Sequence, residues 1–154
     1  MKRRTLLKGS LTAGVAGVAA AAGLLTPQMV LAAWPKGAFE SKGVDSAVKS
    51  LMGSSALTAS GDISIKAPPI AENGAVVNIA VSTKLKNVDS ISILVEKNAT
   101  PLTSSFNLAP VTEAFIKTRV KVAKTSSVIA VVKSGGKLYS AGREVKVTIG
   151  GCGG

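Results

Sequence analysis

Histidine is absent from the 154-residue sequence, and cysteine occurs only once, at Cys152. Without an imidazole the chain cannot supply a Ser-His-Asp triad, a Cys-His pair or a histidine metal ligand. A single thiol forms no disulfide within the chain and cannot build a cysteine-rich zinc or iron–sulfur site. Any function of this chain must therefore work without imidazole; we also expect that the chain itself is not an enzyme and binds no cofactor.

Aromatic and acidic residues are also scarce. Aromatic residues make up 3% of the chain, and 8 acidic residues stand against 19 basic ones, which gives a formal charge of +11. The excess positive charge can attract small anions or acidic partner surfaces. It is equally compatible with an ordinary solvated surface, because the basic residues are spread along the chain. With so few aromatic side chains to stack on bases, nucleic acid is not an expected partner.

Residues 1–32 are typical of an export signal. A basic start precedes an Ala/Gly-rich apolar stretch over residues 11–25. Its basic residues are Lys2, Arg3, Arg4 and Lys8. The adjacent arginines followed by Thr5-Leu6-Leu7-Lys8 indicate the twin-arginine type, with Leu6 where phenylalanine is commonest. We therefore predict export to the periplasm by the twin-arginine route.

Small residues place the predicted cleavage after Ala32, with Ala33 as the alternative. Cleavage would remove four of the 19 basic residues and no acidic one, so 15 remain against 8 and the charge falls to +7. An uncleaved membrane helix is the other interpretation. The apolar stretch is shorter and milder than such a helix requires, so we expect no membrane association.

Hydrophobic spacing divides the predicted domain, residues 33–149, into a short helical head and a strand-rich body. Apolar residues recur at helical spacing between residues 38 and 52, at Val44, Val48, Leu51 and Met52. Gly53 can end this helix. We expect the apolar stripe to pack on the body, with a groove on a partner as the alternative, and Trp34 and Phe39 to anchor the head.

From residue 62 onward apolar and polar residues alternate, as in half-buried strands. The apolar positions of the predicted strands are Ile63 and Ile65; Val77, Ile79 and Val81; Ile91, Ile93 and Val95; Val120 and Val122; 128–132; and Val145, Val147 and Ile149. Ser134-Gly135-Gly136 predicts a hairpin turn. Residues 103–118 lack a clean period and are predicted as an edge strand broken by Pro110.

These short strands and connections predict an all-β protein. About seven strands favour an immunoglobulin-like antiparallel β-sandwich, preceded by the short N-terminal helix. An open barrel is the alternative architecture.

The sequence ends in Gly150-Gly151-Cys152-Gly153-Gly154. Glycine explores backbone conformations freely and loses much entropy when it is ordered. We therefore expect residues 150–154 to form a flexible glycine-rich arm that carries the thiol about 10 Å beyond Ile149. A free thiol is only a few per cent ionised near neutral pH, yet it is strongly nucleophilic. These features favour a carrier whose cysteine is modified by other proteins.

Other uses of Cys152 stay open on these grounds. In an oxidising periplasm it can form an intermolecular disulfide, which would make the protein a structural sandwich module. A tail added for labelling would look similar, and metal delivery through one thiol and methionines would make a poor site. We expect no prenylation, because a C-a-a-X box needs three residues after the cysteine and only two follow.

The tail and the preceding segment Glu144–Ile149 resemble the C-terminus of the SoxY family, the sulfur-carrier subunits of bacterial thiosulfate-oxidising systems. The twin-arginine signal, the Trp34-Pro35 and Ala38-Phe39 start, the helix and the sandwich extend the resemblance along the chain. The resemblance implies that Cys152 carries thiosulfate-derived sulfur covalently. It assigns the flexible arm to Gly150, Gly151, Gly153 and Gly154.

The resemblance also implies several partners. A SoxZ-like subunit would form a heterodimer with this chain, and export of that folded partner would account for the twin-arginine route. A haem-containing SoxXA-like enzyme would join thiosulfate to the thiol, and a SoxB-like metal-dependent hydrolase would release sulfate. In some organisms a sulfane dehydrogenase would oxidise the remaining sulfur.

Overall fold

A computed structural model describes residues 34–148. The predicted signal and the predicted glycine arm lie outside these residues, as does Ile149. The helices in this range are α1 Lys36–Glu40 and α2 Val44–Met52. The strands are β1 Thr58–Ala59, β2 Ile63–Lys66, β3 Ile70–Ala71, β4 Val77–Thr83, β5 Val88–Val95, β6 Leu102–Asn107, β7 Phe115–Val120, β8 Ser126–Ser134 and β9 Lys137–Val147.

The strands form two sheets that pack face to face. The larger sheet has the order β1-β9-β8-β5-β6, with β3 also paired to β9, and the smaller sheet has the order β2-β4-β7. Their inner faces share one core, to which the smaller sheet contributes Ile63, Ile65, Val77, Ile79 and Val81 and the larger sheet Ile91, Ile93, Val95, Val128, Ala130 and Val132. The immunoglobulin-like sandwich is confirmed, because the predicted alternation is the alternation of inward and outward side chains.

The two helices cover the outer face of the larger sheet. Ala47 and Val48 of α2 are buried against Leu94 and Val131, in a second cluster that also contains Leu102 and Leu138. Strands β5 and β8 are therefore buried on both faces, which suits the dense β-branched run at residues 128–132. The prediction that the helical stripe packs on the body is confirmed. At the head, Ala38 is fully buried in this cluster and Phe39 packs against it partly buried, whereas Trp34 remains 69% exposed.

The single helix predicted over residues 38–52 is wrong, because the structure has two helices in this segment. Ser41 adopts an extended conformation, with ψ of 141°, and ends α1. Gly43 is also extended and begins α2, with its N–H donating to Ser46 Oγ at 3.3 Å. In the interior of a continuous helix Gly43 would cost about 1 kcal/mol relative to alanine, which favours an interruption of the helix at this point. The predicted end at Gly53 is confirmed by its left-handed φ of 81°.

Residues 103–118 form parts of two strands rather than one broken edge strand. Strand β6 is the edge of the larger sheet, as expected, and Pro110 lies in the connection that follows it. Strand β7 crosses to the smaller sheet and pairs with β4. The strand predicted around Val120 and Val122 is correspondingly displaced: Val120 ends β7, and Val122 is buried just beyond it.

The hairpin predicted at Ser134-Gly135-Gly136 is confirmed. Gly135 and Gly136 have φ values of 55° and 76°, and Ser134 pairs with Lys137. A two-residue turn with positive φ at both positions matches the twist of the flanking strands, and glycine adopts it without a Cβ penalty.

Candidate functional site

Strand β9 leads towards the cysteine and is held on one side by β3. The two strands run parallel, with Ile70 opposite Lys146 and Ala71 opposite Val147. The Lys146 N–H donates to the Pro69 carbonyl at 3.0 Å, and the Thr148 N–H donates to the Ala71 carbonyl at 3.2 Å. We call residues 146–148 the tail root. Its backbone is bonded to the domain up to Thr148, four residues before Cys152.

The other side of the tail root is held by the segment before β8. The Val147 N–H donates to Thr125 Oγ1 at 3.0 Å, next to the last β8–β9 pair, Ser126 with Val145. Val145 is fully buried in the core. Both edges of the root are therefore engaged, so the sequence beyond it starts from a defined point on the domain.

A close backbone contact between Val122 and Gly74 lies beside the tail root. The Val122 N–H donates to the Gly74 carbonyl at 2.7 Å. Gly74 is buried so tightly that a Cβ added there would overlap the Val122 carbonyl oxygen and lie 2.9 Å from Val147 Cγ1. Asn73-Gly74 is recognisable in the sequence as a turn, but its contact with the tail root appears only in the fold.

An asparagine side chain fixes the neighbouring segment, residues 121–123. Asn98 Nδ2 donates to the Lys121 carbonyl at 2.8 Å, and the Ala123 N–H donates to Asn98 Oδ1 at 3.0 Å. These two bonds join the β5–β6 connection to the segment that leads from β7 to β8. The loops around the tail root thus form one connected support.

Cys152 and its glycines, Gly150, Gly151, Gly153 and Gly154, lie outside the described residues. Within residues 34–148 no group of three or more acidic side chains or other common metal ligands converges on one point. Neither described helix is long and apolar enough to cross a membrane. The structure thus shows the strand β9 that leads towards the predicted site, and it shows the contacts that hold the end of this strand.

The sequence model of the family described as "Sulfur oxidation protein SoxY" matches residues 48–152 of this chain, which is more than half of it and reaches the cysteine. The chain belongs to the SoxY family. The solved structure of the sulfur carrier protein SoxY from Chlorobium limicola f. thiosulfatophilum is similar to it, with 44% sequence identity and a TM-score of 0.63. That match covers 68% of this chain and 96% of the Chlorobium chain.

A more distant match is a solved structure described as the "Structural basis of T cell specificity and activation by the bacterial superantigen toxic shock syndrome toxin-1". It has 12% identity and a TM-score of 0.41, covers 56% of this chain and 98% of the other, and carries no conclusion here. The comparison with curated proteins gives no match. SoxY membership identifies a carrier protein of sulfur oxidation, and it implies work with other Sox proteins such as SoxZ.

Proposed function

We propose that this member of the SoxY family is a periplasmic, non-enzymatic carrier in thiosulfate oxidation and that it holds sulfur intermediates covalently on Cys152. One observation carries the proposal: the only cysteine of the chain stands between two glycine pairs, just beyond a strand that is bonded to the domain through Thr148. The sulfur-carrier description of the Chlorobium relative supports it. The twin-arginine pattern at Arg3-Arg4 supports the periplasmic location.

The distance between the tail root and the thiol suits delivery into another protein. Four residues beyond Thr148, extended at about 3.3 to 3.6 Å each, carry Cys152 about 13 Å from the last backbone bond to the domain. Glycines on both sides of Cys152 add no side chains, so the segment requires only a narrow channel. We infer that the partner supplies the active site and this chain supplies the attachment point.

Loading of the thiol is an oxidation. A bond forms between Cys152 Sγ and the terminal sulfur of thiosulfate, the thiol loses its proton, and two electrons pass to a haem-containing SoxXA-like enzyme. The product is a cysteine S-thiosulfonate. Only the thiolate is a good nucleophile, and with no histidine in this chain its activation would come from the partner's active site.

Unloading then proceeds in two stages. A SoxB-like hydrolase adds water across the sulfur–sulfonate bond, which releases sulfate and leaves a persulfide on Cys152. A sulfane dehydrogenase would oxidise the remaining sulfur in organisms that have one. A SoxZ-like subunit would form a heterodimer with this chain, and its export as folded cargo would account for the twin-arginine route.

Intact-mass measurement with a matched variant tests the proposal. Wild-type protein incubated with thiosulfate and the loading enzyme should gain the mass of one thiosulfate group, and the hydrolase should reduce that gain to one sulfur atom. Cys152→Ser should gain no mass. Because residue 152 lies beyond the last strand, we expect the free energy of unfolding of the Cys152→Ser variant to stay within about 0.5 kcal/mol of wild type.

Two results would contradict the proposal. Mass gain by Cys152→Ser would place the sulfur elsewhere. A wild-type protein that only forms a disulfide with a second chain, and never takes up thiosulfate, would instead be a structural sandwich module.

A further inference from the structure

The outward residues of the strands of the smaller sheet include cations and no acidic residue. The inward residues of β2, β4 and β7 belong to the core, and the opposite residues face outward: Ser64, Lys66, Asn78, Ala80, Ser82, Phe115, Lys117 and Arg119. Three of them are cations and none is acidic. We call this surface the basic face.

The strand register brings the cations of the basic face together. Ala80 of β4 is opposite Lys66 on one side and Lys117 on the other, and Asn78 is opposite Arg119. With neighbouring strands about 4.8 Å apart, the Lys66 and Lys117 backbones lie about 10 Å apart across the small Ala80 side chain. Cations from distant parts of the sequence thus become one surface.

Two cavities lie on the basic face. A cavity of about 430 Å³ lies over Ala80, lined by Lys66, Lys117, Pro68 and Phe115, among others. A second cavity, of about 520 Å³, lies beside Arg119. Phe115 keeps 47% of its surface exposed at the rim. A cavity bordered by cations and by an aromatic side chain suits a protruding surface that carries acidic groups.

The cations of the basic face are not neutralised by this domain. The ion pair found within residues 34–148 joins Lys36 to Glu40, at 3.7 Å on α1. No carboxylate of the described range therefore pairs with Lys66, Lys117 or Arg119. Their charge is available to a partner, and the complementary partner is acidic.

The basic face adjoins the tail root. Three residues after Lys66, the Pro69 carbonyl accepts the Lys146 N–H. Three residues after Arg119, the Val122 N–H donates to Gly74, which packs against the Val147 position. The ends of β2 and β7 that carry these cations thus lie on the side from which the cysteine-bearing segment continues. A protein bound on the basic face would therefore lie beside the tail root, from which the segment with Cys152 continues.

We propose that the basic face is the docking surface for an acidic patch on the enzyme that loads Cys152. This inference rests on the proposed function. Opposite charges accelerate the encounter of two proteins and orient them. Docking on this face would hold the loading enzyme beside the tail root while the thiol enters its active site.

Charge reversal with a matched control tests the docking surface. Lys117→Glu/Arg119→Glu reverses two charges of the basic face, and Lys42→Glu/Lys49→Glu makes the same change on exposed residues of the helical layer, across the larger sheet. Loading is followed by intact mass with the SoxXA-like enzyme of the same organism, while the concentrations of carrier and thiosulfate are varied separately.

At low ionic strength we expect kcat/KM for the carrier to fall about tenfold in the first variant and less than about twofold in the control. The KM for the carrier should rise, and the KM for thiosulfate should not change. Raising the salt to about 0.5 M should remove most of the difference, because it screens charges beyond a few ångströms. Lys66→Glu, a single change on another strand, gives a second test should the double variant fold poorly, which its thermal transition reports.

Several results would overturn the docking surface. These are equal slowing of both double variants, a defect that persists in high salt, a change in the KM for thiosulfate alone, or loss of the SoxZ-like subunit by the basic-face variant. Failure of the wild-type protein to load would refute the proposed function. Normal loading of both wild type and the basic-face variants would refute only the docking surface.

Discussion

Replacing Gly74 with alanine tests how firmly the domain holds the tail root. Gly74 is buried, and its carbonyl accepts the Val122 N–H at 2.7 Å. The new Cβ would overlap the Val122 carbonyl oxygen and approach Val147 Cγ1 to 2.9 Å, whereas carbon atoms pack favourably at about 3.5–4.0 Å. A side chain can rotate away from such an approach. The backbone oxygen can move only if the loop that carries it shifts.

The expected destabilisation follows from two contributions. Insertion of a methyl group into a tightly packed site costs about 1–3 kcal/mol. Weakening of the Val122–Gly74 hydrogen bond adds about 1 kcal/mol. We therefore expect Gly74→Ala to lower the free energy of unfolding by about 2–4 kcal/mol. For a domain of this size the corresponding fall in Tm is roughly 10 °C.

Urea unfolding and amide hydrogen exchange measure the effect, with Gly61→Ala as the matched control. A Cβ on Gly61 meets nothing within 4 Å, so the control should change stability by less than about 0.5 kcal/mol. In Gly74→Ala the amides of Val122, Val147 and Thr148 should exchange faster. Equal stability of the two variants, with unchanged exchange at these amides, would show that the tail root does not depend on this contact.

Two further substitutions examine the helical layer and the tail. Leu94→Ala should lower the free energy of unfolding by about 2–5 kcal/mol in urea titrations, because Leu94 is 1% exposed between the helices and the larger sheet. The control is Val111→Ala, at a position that is 96% exposed. A loss of stability in Leu94→Ala no greater than in this control would contradict the packing of the helices on the sheet. Gly151→Leu should slow enzymatic loading of Cys152 more than it slows alkylation by iodoacetamide, because in the proposed mechanism only the enzyme encloses the segment in a channel. Equal slowing of both reactions would argue against channel entry.

Much of the sandwich could be predicted because its inner faces follow the period of two. Val77, Ile79 and Val81 alternate with outward residues, and the structure buries all three. The same rule missed the second buried face of β5. Ser90 and Ser92 read as solvent-facing positions, yet both are buried on the side of the helical layer. Serine tolerates such a site when its hydroxyl finds a partner, as Ser92 does with Ser105 at 2.9 Å.

The short strands beside β9 could not be predicted from local sequence. Strand β3 has only two residues, Ile70–Ala71, which are too few to display a period, and it follows Pro68-Pro69, which indicates a turn. Its pairing with Lys146–Val147 joins segments more than 70 residues apart. Such parallel pairing depends on the tertiary fold, so the strand that holds the tail root was not apparent from the sequence.

The candidate site, too, could be predicted from the sequence only in part. Cys152 can be predicted as the attachment site from the residue inventory, because no other thiol or imidazole competes with it. The basic face cannot be identified in this way. Lys66 and Lys117 are 51 positions apart in the sequence and become neighbours only through their common partner Ala80. Scattered charge in the sequence therefore became a surface through strand register.

The energetics of the proposed delivery favour a docking surface on the body of the carrier. Fixing the backbone of residues 150–154 in a partner's channel costs about 1–2 kcal/mol per residue, or about 5–10 kcal/mol in total, and glycine is at the upper end. Four of those five residues have no side chain whose burial would offset this cost. The offset must come from the cysteine and its cargo, from backbone hydrogen bonds inside the channel, or from contacts of the domain. Only the last of these lets a partner distinguish this carrier from any other protein with a glycine-flanked thiol, and the basic face beside the tail root is placed to provide it.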